Sequence, residues 1–167
     1  MDILVDTPRL QMRKFTLDDI DAVFEFSAHP DVVRYTGDAG LVKTKEDAKG
    51  IIEDIWLKEY EQYGYARYAL IHKEDNRVIG FCGVKYEPDL GAPDIGYRML
   101  PEYWGQGLGY EAASTTLEFA KHTLGLERIV GEVAEENIGS WKILEKCGMQ
   151  RIDEYEKMGF RIYFYEY

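Results

Sequence analysis

Apolar positions in the first part of the chain recur mainly at helical spacing. Leu10 to Phe15 alternates briefly and reads as a first strand. Thr16-Leu17-Asp18-Asp19 has capping-box form, and Ile20, Val23 and Phe24 follow at helical intervals. This helix is expected to end near His29-Pro30, because proline disfavours helix in the residue before it. A turn-rich loop, Tyr35 to Leu41, comes next. Thr44 to Asp47 repeats the start signal, and Ala48, Ile51, Ile52, Ile55 and Tyr60 predict a second amphipathic helix to about Gly64. From Tyr65 the period shortens. Tyr65 to Ile71 and Arg77 to Val84 read as a hairpin around Lys73 to Asn76, and Asp94 to Leu100 as a further strand. A helix from about Gly109 to Lys121 turns Ala112, Ala113, Thr116, Leu117, Ala120 and Leu124 inward. Beyond it come a strand (Leu126 to Val133), a short helix (Trp141 to Lys146) stopped by Gly148, and strands from Met149 to Tyr155 and from Arg161 to Tyr167. The helix between the Asp94 and Leu126 strands makes those two candidates for parallel neighbours.

Composition narrows the class without naming a chemistry. The 167 residues suit one domain, 1–167, that buries roughly 70% of the unfolded chain's surface. No apolar run reaches the ~18 residues that a membrane span needs. The first residues carry an acid where a secretory leader wants basic residues. Cys82 and Cys147 are too few for a disulfide framework and read as reduced core thiols in a cytoplasmic protein. The net charge of −11 argues against a nucleic-acid surface and mildly favours a cationic substrate. His29, His72 and His122 lack metal-ligand spacing, so no metal is expected.

The chemistry concentrates at Trp104-Gly105-Gln106-Gly107-Leu108-Gly109-Tyr110, between a strand and a helix. Glycines at alternate positions leave backbone N–H groups unobstructed, and the helix dipole adds positive potential. That combination predicts a phosphate site. No Lys-Ser/Thr follows the glycines, which excludes a P-loop nucleotide site.

Several further stretches stand in a telling order. They are Thr7-Pro8-Arg9-Leu10, the run from Pro30 to Gly37, Ile79-Gly80, Asp94-Ile95-Gly96-Tyr97, the glycine turn, Asn137-Ile138-Gly139-Ser140, and the run from Leu144 to Met149. Together they resemble the GNAT superfamily of N-acetyltransferases, more narrowly its ribosomal-protein N-terminal (RimJ/RimL-like) branch, over nearly the whole chain. The resemblance implies an α/β (α+β) fold: a central mixed, mostly antiparallel sheet of about six to seven strands, about four flanking helices, and one parallel pair splayed at the cofactor site. It implies acetyl-CoA as donor and an amine as acceptor, either a protein N-terminal α-amine or a small molecule, in a family where homodimers are common. By position, Trp104, Gly105, Gln106, Gly107, Leu108, Gly109 and Tyr110 would wrap the pyrophosphate. Met99 and Leu100 would bond the pantetheine arm through backbone groups, and Asn137 and Ser140 would lie near the arm and the thioester. Trp104 stands where a cation or glutamine is common. Leu144 stands where many members carry the tyrosine that protonates the leaving thiolate, which makes Ser140 the candidate acid.

An α-amine with pKa ~8 costs only about 1 kcal/mol to neutralise at pH 7, against about 4–5 kcal/mol for a lysine-like amine, so an α-amine tolerates a weak or water-relayed base. Asp94 takes the family's acidic position on the strand before the turn and is the candidate base, with a turn or surface charge as the alternative. Glu132 is the next contender. Ser140 and Asn137 are also good helix N-caps. The oxyanion donor is expected among the N–H groups near Met99 and Leu100. An acyl-CoA-binding module that senses its ligand without turnover is the other functional reading.

Overall fold

The computed structural model describes residues 2–167. Eight strands form one sheet in the order β1-β2-β3-β4-β5-β6-β8-β7: β1 Val5–Asp6, β2 Leu10–Arg13, β3 Arg67–His72, β4 Arg77–Glu87, β5 Ala92–Met99, β6 Val130–Ala134, β7 Gln150–Lys157 and β8 Phe160–Glu166. All neighbours run antiparallel except β5 and β6, which the crossover helix α4 (Leu108–His122) joins in parallel. The strand beyond the expected six or seven is β1, whose two residues are too short to show a period. The edge strand β7 is mostly exposed and carries Arg151, Asp153, Glu154, Glu156 and Lys157, charges that discourage edge-to-edge pairing.

Both capping boxes form. The Thr16 side chain and the Asp19 carboxylate cap a short 3₁₀ turn (Leu17–Asp19) ahead of α1 (Ile20–Ala28). Thr44 and Asp47 do the same for α2 (Lys45–Ile51). The second helical run continues through a π turn, Ile52–Trp56, into α3 (Leu57–Tyr63), and Gly64 ends it in the left-handed conformation. The extra residue of a π turn rotates the apolar face. Ile55, expected inside, is therefore 40% exposed, while Trp56 is 4% exposed and stacks on Phe15 with ring centroids 4.3 Å apart. On the other face of the sheet, α4 buries Ala112, Ala113, Thr116, Leu117 and Ala120, as the spacing predicts. Beside it lies α5 (Ile138–Lys146), which starts three residues earlier than its apolar pattern suggests. β6 starts at Val130, because residues 126–129 lie outside the ladder. Among the described residues no helix is long and apolar enough to cross a membrane.

β5 and β6 share a single registered pair, Asp94 with Val130, and then diverge. Backbone groups beyond that pair lose their ladder partners, which opens the sheet towards the glycine turn.

Candidate active site

Two cavities meet at the divergence. The larger, about 750 Å³, lies between the C-terminal end of β5, the N-terminus of α4 and one face of α5. The smaller, about 360 Å³, lies between β5, β6, the loop after α1 and the β7–β8 turn. Tyr35, Thr36, Tyr97, Arg98, Asn137 and Ser140 border both. Alternation along β5 sorts the chemistry. Tyr97 faces α4 and α5, close to Gly109, whereas Asp94, Gly96 and Arg98 lie on the side of Arg67 and Phe81.

The glycine turn forms one end of the larger cavity. Gly105 and Gly107 have φ of +73° and +82°, a conformation that glycine adopts without penalty. Gly107 is the N-cap of α4 and offers no side chain, so the first amides of α4 have no intrahelical acceptor. Trp104, Gly105, Gly107, Leu108, Gly109 and Tyr110 line the cavity. Gln106 does not line it, because its side chain donates to the Glu102 carbonyl and its own carbonyl accepts from Arg9. Met99 lines the cavity and its carbonyl accepts the Trp104 indole N–H at 2.8 Å. Leu100 is buried and gives its N–H to the Ile79 carbonyl, away from the cavity wall.

Arg9 is a residue that sequence reasoning noted only as part of a motif. Its Nε donates to Glu111 at 2.9 Å and its Nη1 to the Gln106 carbonyl at 2.7 Å, while Glu111 also accepts from the Thr7 hydroxyl. These contacts hold the Gln106 carbonyl on the outer side of the turn. They also bring a cation next to a turn whose first residue, Trp104, has none. Arg9→Ala, which releases the Gln106 carbonyl and removes the nearby charge, is expected to raise the dissociation constant for CoA by about tenfold with little change in melting temperature. Calorimetric titration checks it.

At the junction, the Tyr97 hydroxyl and Ser140 Oγ lie 3.2 Å apart. Helix α5 begins at Ile138 with Asn137 as its N-cap, so Ser140 stands in the first turn and does not cap the helix. The Asn137 side chain makes no capping hydrogen bond and borders both cavities. Burial holds the Tyr97 hydroxyl well above the ordinary tyrosine pKa, so it stays protonated. In the sequence, Tyr97 closes the motif Asp94-Ile95-Gly96-Tyr97. The signal was its register: Tyr97 and Met99 share one face of β5.

Asp94 lines the smaller cavity. Its Oδ2 accepts from Arg67 Nη2 at 3.0 Å and its Oδ1 from the Glu132 N–H at 3.2 Å. Arg67 Nη1 also donates to the Gly83 and Asp94 carbonyls. The carboxylate therefore ties β5 to β6 where they separate. Arg67 crosses directly over Gly96, where an added Cβ would meet its guanidinium at 2.6 Å, which explains the glycine. Burial lifts the Asp94 pKa to about 6 against the lowering pull of Arg67. The Glu132 carboxylate is occupied by Lys157 at 2.9 Å and by the Tyr155 hydroxyl. Cys82 and Cys147 are pushed up to about 11 by burial, which holds both as thiols at neutral pH.

Residues 9–150 match a family model described as acetyltransferase (GNAT) domain. An uncharacterized N-acetyltransferase of Bacillus licheniformis, p20, is 30% identical over 162 residues, covering 93% of this chain and 89% of its own. A GNAT-family acetyltransferase structure from Bacillus anthracis is 27% identical with a TM-score of 0.82, over 98% of this chain and 96% of that one. The structure of a ribosomal-protein-S5-alanine acetyltransferase from Vibrio fischeri, 18% identical, shares the fold with a TM-score of 0.77 over 98% and 94%.

Proposed function

Because the chain belongs to the acetyltransferase (GNAT) family, an acetyl-CoA-dependent group of acyltransferases, we propose that the larger cavity takes the donor and the smaller one a primary α-amine, carried by a protein N-terminus or a small molecule. One observation carries this assignment. Tyr97 and Ser140, whose hydroxyls lie 3.2 Å apart, line both cavities, which suits a thioester and an amine entering from opposite sides.

The free amides at the start of α4 suit pyrophosphate oxygens, and the Asn137 side chain suits an amide of the pantetheine arm. Transfer proceeds by direct attack. The neutral amine forms a C–N bond to the thioester carbonyl carbon, and the C–S bond breaks. The nitrogen sheds its proton towards Asp94 through water, and the leaving sulfur receives one from the hydroxyl pair. A coenzyme thiol has an ordinary pKa near 8.5, below that of Tyr97, so tyrosine does not surrender its proton outright. It donates a hydrogen bond to the developing thiolate, while Ser140 passes a proton on from solvent.

Mixing protein, acetyl-CoA and an amine panel, and following free thiol, tests this function. Coenzyme binding with no thiol release from any amine would favour the sensing module instead.

The Asp94 assignment has a pH signature. A base with a pKa of about 6 works in its ionised form, so its contribution appears as pH rises through 6. An α-amine with pKa ~8 adds its own proton loss below pH 8. The slope of log kcat/KM against pH is therefore expected to be about one between pH 6 and 8 and about two below 6. Asp94→Asn should keep a slope near one throughout, with an overall loss of about tenfold to a hundredfold. A wild-type profile with no break near 6 would remove Asp94 from the base role.

A further inference from the structure

The smaller cavity is lined by three acids and three cations, and most of their charge is already paired. Asp94 is held by Arg67, Glu132 by Lys157, and Glu87 by Lys85 at 3.5 Å. Lys157 also binds Asp89. Arg98 is different. It projects from near the C-terminal end of β5 over the Phe81 ring, its guanidinium carbon 4.7 Å from the centroid. Its one protein hydrogen bond among the described residues runs from Nη2 to Asp38 Oδ2 at 3.0 Å. Nε is buried without a partner. Nη1 has no protein acceptor either and is not among the buried unpartnered atoms, so it is the open edge of the group. The side chain is 12% exposed and borders both cavities. A largely desolvated guanidinium with most of its donors unused is costly unless an oxygen-rich group completes it.

The location decides what that group is. Arg98 is next to Tyr97 in the chain but on the opposite side of β5, its guanidinium over Phe81, which lines the smaller, acceptor cavity. An amine that attacks beside Tyr97 and Ser140 places the atoms two or three bonds from its nitrogen against Arg98. A planar fork of N–H donors there matches a carboxylate. A diamine of the same length would instead set a second ammonium against the open donors of Arg98, with Asp94 and Glu132 already engaged by Arg67 and Lys157. The overall charge of −11 attracts cations at long range, but salt screens that field within about 10 Å, and the cavity's own charges choose between molecules that reach it.

We propose that the acceptor is a free amino acid, its carboxylate held by Arg98 and its α-amine turned towards the thioester. The proposal rests on the smaller cavity being the acceptor site. Asp38 positions the fork: it sits on the loop after α1, and a ligand carboxylate would lie on the guanidinium edge that Asp38 leaves open.

The test compares each of a panel of amino acids with its carboxamide, its decarboxylated amine and a dipeptide beginning with the same residue. Thiol release gives kcat/KM. The best amino acid is expected to exceed its carboxamide and its amine by at least about tenfold, the worth of a charge-assisted fork. Arg98→Met should bring that ratio close to one, and Arg98→Lys, which keeps charge without the fork, should fall between. A second arm needs no turnover. Calorimetry on the CoA-loaded protein compares an N-acetyl amino acid with its N-acetyl carboxamide, and the acid should bind more tightly in wild type but not in Arg98→Met. Equal rates for acid and carboxamide, or a dipeptide superior to every free amino acid, overturn the proposal. If no amine releases thiol, the transfer reaction falls, while the calorimetric preference still decides whether Arg98 recognises a carboxylate.

Discussion

Gly107→Val is expected to lower CoA affinity by about a hundredfold or more while the protein remains folded. Gly107 has φ of +82°, where a β-branched residue is strained by roughly 1–2 kcal/mol. Relief of that strain rotates the peptide that opens α4 and turns its amides away from the cavity. Loss of two charge-assisted hydrogen bonds at about 1.5–3 kcal/mol each corresponds to roughly 10² to 10⁴ in the dissociation constant. The nearest atom to an added Cβ is Arg9 Nη2 at 3.4 Å, an ordinary contact, so crowding contributes little and the backbone is responsible. Titration with CoA, paired with a thermal melt, separates the effects. A variant that melts a few degrees lower yet binds CoA as wild type does would show that phosphate is held elsewhere.

The elements with strong local signals were legible in the sequence. Thr16 and Thr44 start helices because their boxes are local chemistry, and Gly64 stops one for the same reason. The parallel pair follows from the helix between its strands. What the sequence hid depends on long-range contact. The π turn at Ile52–Trp56 carries no residue signature, so helical spacing places Ile55 inside, whereas the structure exposes it. Neither Gln106 nor Leu100 lines the larger cavity: the Gln106 carbonyl is bonded to Arg9, 97 residues away in the chain, and the Leu100 amide to Ile79. Arg67 and Arg98 are cations within apolar strands, a pattern that calls for explanation in any sequence. Only the fold shows that Arg67 on β3 closes an ion pair with Asp94 on β5, across β4, and that Arg98 keeps donors free.

β5 thus links fold and function more closely than the glycine turn does. Its single registered pair with β6 opens the sheet, its residues from Asp94 to Met99 line the two cavities, and its alternation turns Tyr97 towards Gly109 on α4 and Arg98 towards Phe81. Gly80 allows this by letting β5 approach closely: a Cβ there would stand 1.8 Å from the Arg98 carbonyl oxygen. Gly96 allows it by leaving room for Arg67.

The hydroxyl pair sets the second large effect. Tyr97→Phe keeps the ring that packs on Gly109 and removes only the oxygen, so folding should be preserved. If Tyr97 and Ser140 together supply the hydrogen bond and proton to the departing sulfur, Tyr97→Phe and Ser140→Ala should each lower kcat by about tenfold to a thousandfold, within the range for acid catalysis. The KM for acetyl-CoA should move little, because the turn amides that hold its phosphates are untouched. The double variant decides between a relay and two separate contributions. In a relay either loss breaks the same path, so the double variant should be about as slow as the slower single one; independent effects would multiply. A thioester with a better leaving group needs less protonation, so an aryl thioester donor should restore much of the rate in all three variants. Unchanged kcat in Tyr97→Phe would leave Ser140 to act alone, and multiplication of the two effects would disprove the relay.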